Sequence, residues 1–149
     1  MEIELTQERI AFLEQDYCRG FIKFCGFQVS RIGKGLFEST LSIGENHKTQ
    51  DNFIHAGLIA TMSDHTAGYA AYTLVPDNVR ILTIEFKINF LKPAYGKALQ
   101  CKSEIISQGK QIIVAQSTVF DVRDRHEKMV SRSTITLMVI ATDKLQQKR

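Results

Sequence analysis

Hydrophobic and polar positions change rhythm several times along the chain, and each change marks an element. Leu82, Ile84, Phe86, Ile88 and Phe90 alternate with Thr83, Glu85, Lys87 and Asn89, the period of two that predicts a strand with one buried face. Near the start, Thr6 can N-cap a helix, and Ile10, Leu13 and Tyr17 follow at spacings of three and four before Gly20 closes the segment. A short amphipathic helix over about 6–18 is predicted. From Gly26 two short runs flank the glycine-rich turn Ile32 to Gly35, a hairpin signal.

The segment from about Ala56 to Leu74 is apolar nearly all round, which predicts a buried helix. Ala60, Ala67, Gly68, Ala70 and Ala71 would let neighbouring backbone approach closely, and Pro76 ends the helix. After the strand at 82–90 come three more runs, about Ala98 to Ser107, Gln111 to Val122 and Met129 to Ile140. They are linked too closely to be anything but largely antiparallel. The expected fold class is α+β, an antiparallel sheet curled around one long central helix, in a single domain 1–149 with a polar tail from about 142. Its open outer face and edges invite pairing with a second copy, so at least a dimer is expected.

Composition narrows the function classes. A chain of 149 residues with 44% hydrophobic content is large enough for a folded core. A formal charge of +3, with no alternation of basic and aromatic residues, argues against nucleic acid. Cys18, Cys25 and Cys101 are widely spaced and lack a C-x-x-C pair, so they read as reduced structural thiols and not as a zinc site. The acidic N-terminus is unlike a signal peptide, and no apolar run approaches the ~18 residues of a membrane span, so a cytoplasmic protein is expected.

The stretch "NFIHAGLIATMSDHTAGYAA" holds the candidate chemistry. A carboxylate in a mostly apolar helix is costly unless paired or used, so Asp64 either does chemistry or lies on a solvated stripe. His55 stands just before the helix, where its ring and the free amides of Ala56 and Gly57 can converge on a developing oxyanion or a phosphate; a capping histidine is the alternative. His65 follows Asp64 directly and points about 100° away on a helix, which disfavours a shared metal. No metal site and no cofactor are expected. His47 and His126 fall in predicted loops and read as surface residues. No G-x-S-x-G elbow, Walker loop or dinucleotide fingerprint is present.

"HAGLIATMSDHTAGYAA" resembles the H-G-G or H-A-G segment, with an aspartate nine residues after the histidine, of hotdog-fold acyl-CoA thioesterases of the phenylacetate-degradation type. "LTIEFKINFLKPA" resembles the strand that follows it in that family, including the F-L-x-P-A ending. The resemblance spans about Gln50 to Ile140. It implies Asp64 as catalytic carboxylate, either nucleophile or general base, and the Ala56 amide as oxyanion donor. It also implies Thr83 as the residue that places the carboxylate or water, and Asn52 or Gln50 as a polar residue ahead of the histidine. In the family the helix start of one subunit faces the aspartate of the other, which implies a homodimer or homotetramer. Coenzyme A phosphates would need basic residues, for which Lys92 and Lys110 are candidates. Phe53, Ile54, Leu58, Met62 and Tyr69 are the residues expected to shape the acyl pocket.

Three alternatives come from other classes. A hotdog hydratase or dehydratase would carry D-x-N-x-x-H, and "DNFIH" lacks that spacing. A non-catalytic acyl-CoA-binding protein would be expected to lose the helix carboxylate, which is present. A purely structural oligomer would bind no acyl-CoA.

Overall fold

The computed structural model describes residues 3–146. Helix α1 (Gln7–Tyr17) begins at Thr6, whose hydroxyl accepts the Arg9 N–H at 3.2 Å. A second helix, α2 (Gly20–Cys25), follows where the sequence predicts only a stop: Gly20 takes a left-handed φ of 56° and redirects the chain into a new helix. Six residues are too few for a 3.6-residue period to register. Strands β1 (Gln28–Gly33) and β2 (Leu36–Ser42) form the expected hairpin, with Gly35 at φ 68° in the turn.

A 3₁₀ turn at Glu45–His47 leads to the long helix α3 (Ala56–Tyr72). Four strands complete the chain: β3 (Val79–Phe90), β4 (Ala98–Gln108), β5 (Ile112–Arg123) and β6 (His126–Ala141). The tail expected from about 142 begins as a short helix, α4 (Thr142–Gln146). All pairings are antiparallel, in the order β1-β2-β4-β5-β6-β3. The architecture is α+β with α3 packed on a six-stranded antiparallel sheet, as the periodicity predicts, and it is the hotdog arrangement that the family resemblance implies.

Two apolar clusters hold α3 on the sheet. One joins Leu13, Tyr17, Phe27, Phe37, Ile59, Met62 and Leu99; the other joins Ala67, Ala71, Ile113, Ile135 and Leu137. Between them the core carries buried hydroxyls, several of which pair with one another, as burial favours. Thr66 bonds both Tyr17 and Ser39, Ser103 bonds Ser117, and Ser117 donates to the carbonyl of Ser63. These short side chains keep the helix close to the sheet.

Strand β3 is an edge, and it carries the feature that matters most for the site. Its pairing with β6 slips between Thr83 and Glu85, so Ile84 is an extra residue. Before this bulge Thr83 lies opposite Leu137, and after it Phe86 lies opposite Ile135, both of which are buried under α3. Thr83 and Phe86 therefore share the helix side, whereas unbroken alternation would have put Thr83 outside with Glu85. Leu82, Ile84 and Phe86 remain 39–51% exposed on this unpaired edge.

Candidate active site

The start of α3 is fixed from two directions before the helix begins. His55 donates its backbone N–H to the carbonyl of His47 at 2.9 Å, and Ile54 donates to Ala94 at 2.8 Å. The His47 ring is itself built in: Nδ1 accepts from Gly44 N–H, so Nε2 carries the proton and donates to the carbonyl of Cys25. The surface role expected for His47 is thus corrected to a half-buried brace.

An α-helix leaves its first four N–H groups without intrahelical partners. Here the carbonyl of His55 takes Leu58 and Ile59, and the His55 Nδ1 accepts Gly57 at 2.9 Å. His55 is therefore the N-cap, the alternative left open by its position. The expectation that the amides of Ala56 and Gly57 are both free is corrected: the imidazole reaches back over its own turn and occupies the Gly57 donor. A side chain at Gly57 would meet that ring at 3.0 Å, which explains the glycine. One N–H remains without a partner among the described residues, that of Ala56.

Ala56 borders an apolar cup of about 270 Å³ lined by Phe53, Ile54, Ile59, Phe90, Leu91, Lys92, Pro93 and Ala94. Lys92 is the only cation among these lining residues. Phe53 and Ile54 line this cup, but Met62 and Tyr69 do not: both are buried in the core cluster with Tyr17 and Phe37. Lys110 sits in the turn after β4, beyond Gln108, whose side chain bonds the carbonyl of Leu74 past the far end of α3. Within one chain it is not brought to the cup. Asn52 adopts a left-handed φ of 65° in the turn that leads to His55, a conformation Asn tolerates better than most residues. Turn geometry accounts for its presence, and Gln50 beside it is exposed.

Asp64 is half-buried on the least covered stripe of α3, with Gly57, Ala60, Thr61 and Gly68. Thr83 donates to its Oδ1 at 2.7 Å, a contact that the Ile84 bulge makes possible. Asp64 stands eight residue steps beyond Ala56, about 12 Å along the helix axis, so the two cannot act on one carbonyl within a single chain.

The neighbouring side chains do other work. His65 bonds the carbonyl of Tyr17 through Nε2 at 3.0 Å and packs against the rings of Tyr17 and Tyr69. Burial holds its pKa below the ordinary histidine value, although Asp64 and Asp16 pull the other way. A histidine kept neutral in the fold binds its proton more readily when unfolded, so stability is lost as pH falls below about 6.5. The melting temperature is expected to drop between about pH 7 and 5, and His65→Gln to flatten that part of the profile. An unchanged slope in the variant would assign the acid sensitivity to another group. Cys101 is fully buried and its thiol is pushed up to about 11, which leaves it protonated and unsuited to nucleophilic attack. Among the described residues no group of three or more His, Cys, Asp or Glu is placed to hold a metal ion.

Residues 51–128 match the Thioesterase superfamily. A candidate esterase of Saccharolobus solfataricus is 30% identical over 66% of this chain, which spans 65% of that relative's length. The solved structure of a thioesterase family protein from Silicibacter pomeroyi superposes with a TM-score of 0.84 at 30% identity, over 88% of this chain and 98% of the other. A candidate thioesterase of Ralstonia eutropha, described as related to phenylacetic acid degradation, shares the fold at TM-score 0.71 and 18% identity, over 79% and 88% of the two chains.

Proposed function

The chain belongs to the thioesterase superfamily, and from that premise we propose that it hydrolyses acyl-CoA thioesters to free acid and coenzyme A. The observation that carries the reading is the N–H of Ala56, the one amide of the first turn of α3 without a partner among the described residues, beside an apolar cup at a helix start. Attack on a thioester carbonyl creates an oxyanion, and a fixed amide at a helix N-terminus is suited to receive it. The acyl or arylacetyl group would lie in the cup, with Lys92 at its rim for the phosphates of coenzyme A. The size and apolarity of the cup, and the Ralstonia neighbour's description, support an arylacetyl or short acyl group.

Asp64 supplies the other half of the chemistry. As general base it takes a proton from water while the water oxygen bonds to the carbonyl carbon; the C–S bond then breaks and the thiolate leaves, collecting a proton afterwards. As nucleophile it would first attack the carbonyl carbon and form an anhydride as the C–S bond breaks and the thiolate leaves; water then cleaves the anhydride to free acid and the regenerated carboxylate. Either route requires Asp64 near an Ala56 amide that is not its own, because about 12 Å of helix separates the two in one chain. A second copy of the chain, with its α3 running antiparallel beside this one, would bring them together. The unpaired β3 edge, 12 residues long with Leu82, Ile84 and Phe86 exposed, is the natural seam for a homodimer, and a homotetramer can be built from two such pairs. Lys110 would reach a site only as the partner's residue.

The reading is tested by following free-thiol release from a panel of acyl- and arylacetyl-CoAs, with sedimentation of the active species. Turnover is expected without added metal, from a dimer or larger assembly. Activity abolished by chelator and restored by zinc would overturn the carboxylate chemistry, and a fully active monomer would overturn the shared site. A protein that binds these thioesters without cleaving them would support the non-catalytic alternative.

A further inference from the structure

A carboxylate with no solvent exposure lies outside the site described so far. Asp121 is completely buried, and such a group is tolerated only when donors surround it. Three do: the backbone N–H of Tyr95 at 3.1 Å, that of Gly96 at 2.8 Å, and Arg123 Nε at 2.9 Å. Arg123 extends the clamp, since its Nη2 reaches the carbonyl of Pro93 and its guanidinium lies 4.0 Å from the Tyr95 ring centroid. Gly96 is required by the closeness of the fit, because a Cβ there would fall 2.3 Å from the Val122 carbonyl oxygen and 2.4 Å from Asp121 Oδ1. The segment held in this way, 93–96, belongs to the loop between β3 and β4.

The grip is placed for more than stability. Ala94, in the middle of the clamped segment, is buried, and its carbonyl accepts the Ile54 N–H at 2.8 Å. Ile54 is also buried and stands two residues before Ala56. Pro93 and Ala94 of the same segment, with Leu91 and Lys92 just ahead of it, wall the cup beside Ala56. Asp121 and Arg123 touch none of the reacting groups, but one continuous set of bonds runs from them through Ala94 and Ile54 to the helix start.

Resting on the thioester reading above, we infer that Asp121 and Arg123 are positioning residues that aim the Ala56 N–H through the loop they clamp. A donor that acts on a developing oxyanion contributes mainly in the transition state, so a small misplacement falls on kcat more than on KM.

Two variants test this. Asp121→Asn keeps the shape but turns an NH₂ toward at least one of the three donors. Arg123→Lys keeps the charge but cannot hold both Asp121 and the Pro93 carbonyl, and because Arg123 is less deeply buried than Asp121 it carries the test if the Asp121 variant does not fold. Each is expected to lower kcat about tenfold with a smaller change in KM, and to speed hydrogen exchange at the Ile54 amide. The deciding measurement adds each change to Ala56→Pro, which deletes the N–H itself. If the clamp works through that N–H, the double variants lose no further kcat. The same loss in both backgrounds, or an unaltered kcat with Ile54 still protected, would overturn the inference while leaving the Ala56 assignment standing. A normal rate for Ala56→Pro alone would overturn that assignment, and the clamp's catalytic role with it.

Discussion

Asp64→Asn is expected to lose at least ~10²-fold in kcat, the lower end of what a positioned general base contributes, with the protein folded and still binding acyl-CoA. Asparagine keeps the size of the side chain and an oxygen for the Thr83 hydroxyl, which donates to Asp64 at 2.7 Å. It can neither take a proton from water nor attack a carbonyl. The folding cost is small because Asp64 is half-buried on the least covered stripe of α3 and not sealed among apolar side chains. Removing a charge from a mostly apolar helix should leave the melting temperature unchanged or slightly raised. Near-normal turnover would mean that Asp64 is a solvated stripe residue held by Thr83, and unfolding would mean that its bond to β3 is structural. Steady-state kinetics and a thermal melt of the same preparation separate these outcomes.

Ala56→Pro is expected to cost about 10²–10³ in kcat, the usual loss of one oxyanion donor, with little effect on folding. Ala56 is the first residue of α3 and its N–H has no partner among the described residues, so proline removes no bond that the helix makes. His55 before it is already extended, with φ −64° and ψ 131°, which suits a residue preceding proline. Mixing this variant with Asp64→Asn then asks where the two groups meet. If each site combines Ala56 of one copy with Asp64 of another, half the randomly exchanged dimers are mixed. Each mixed dimer has one intact site of two, restoring about a quarter of the wild-type rate. No recovery, with exchange demonstrated, would place both groups in one chain's site and refute the shared arrangement.

Much of this site is legible in the residues because its chemistry depends on local pattern. A histidine before an apolar run, an aspartate nine residues on and a period-two segment ending at Pro93 suffice to mark a helix start, a helix carboxylate and the strand beside it. Other features need distance information. Gly57 looks like a second amide donor until the His55 ring is seen occupying it. Met62 and Tyr69 look like pocket residues until both are seen buried in the core cluster that α1 helps to close, with Tyr69 bonded to Asp16. His47 gives no local signal of its brace, because its partner, the Cys25 carbonyl, lies 22 residues away.

By itself the sequence determined the order and type of the long elements, the α+β class and the candidate carboxylate, since periodicity, capping and breakers act over a few residues. Tertiary structure alone decided which side of β3 carries Thr83. The alternation from Leu82 to Phe90 is compatible with an unbroken strand, but pairing with β6 inserts Ile84 as a bulge and turns Thr83 inward to Asp64. It likewise decided that Asp121, an unremarkable acidic residue in a run of alternating positions, is sealed against Tyr95, Gly96 and Arg123. Register and burial are set by partners distant in sequence, and the free energy that selects them comes from packing the sheet against α3, which no local window contains.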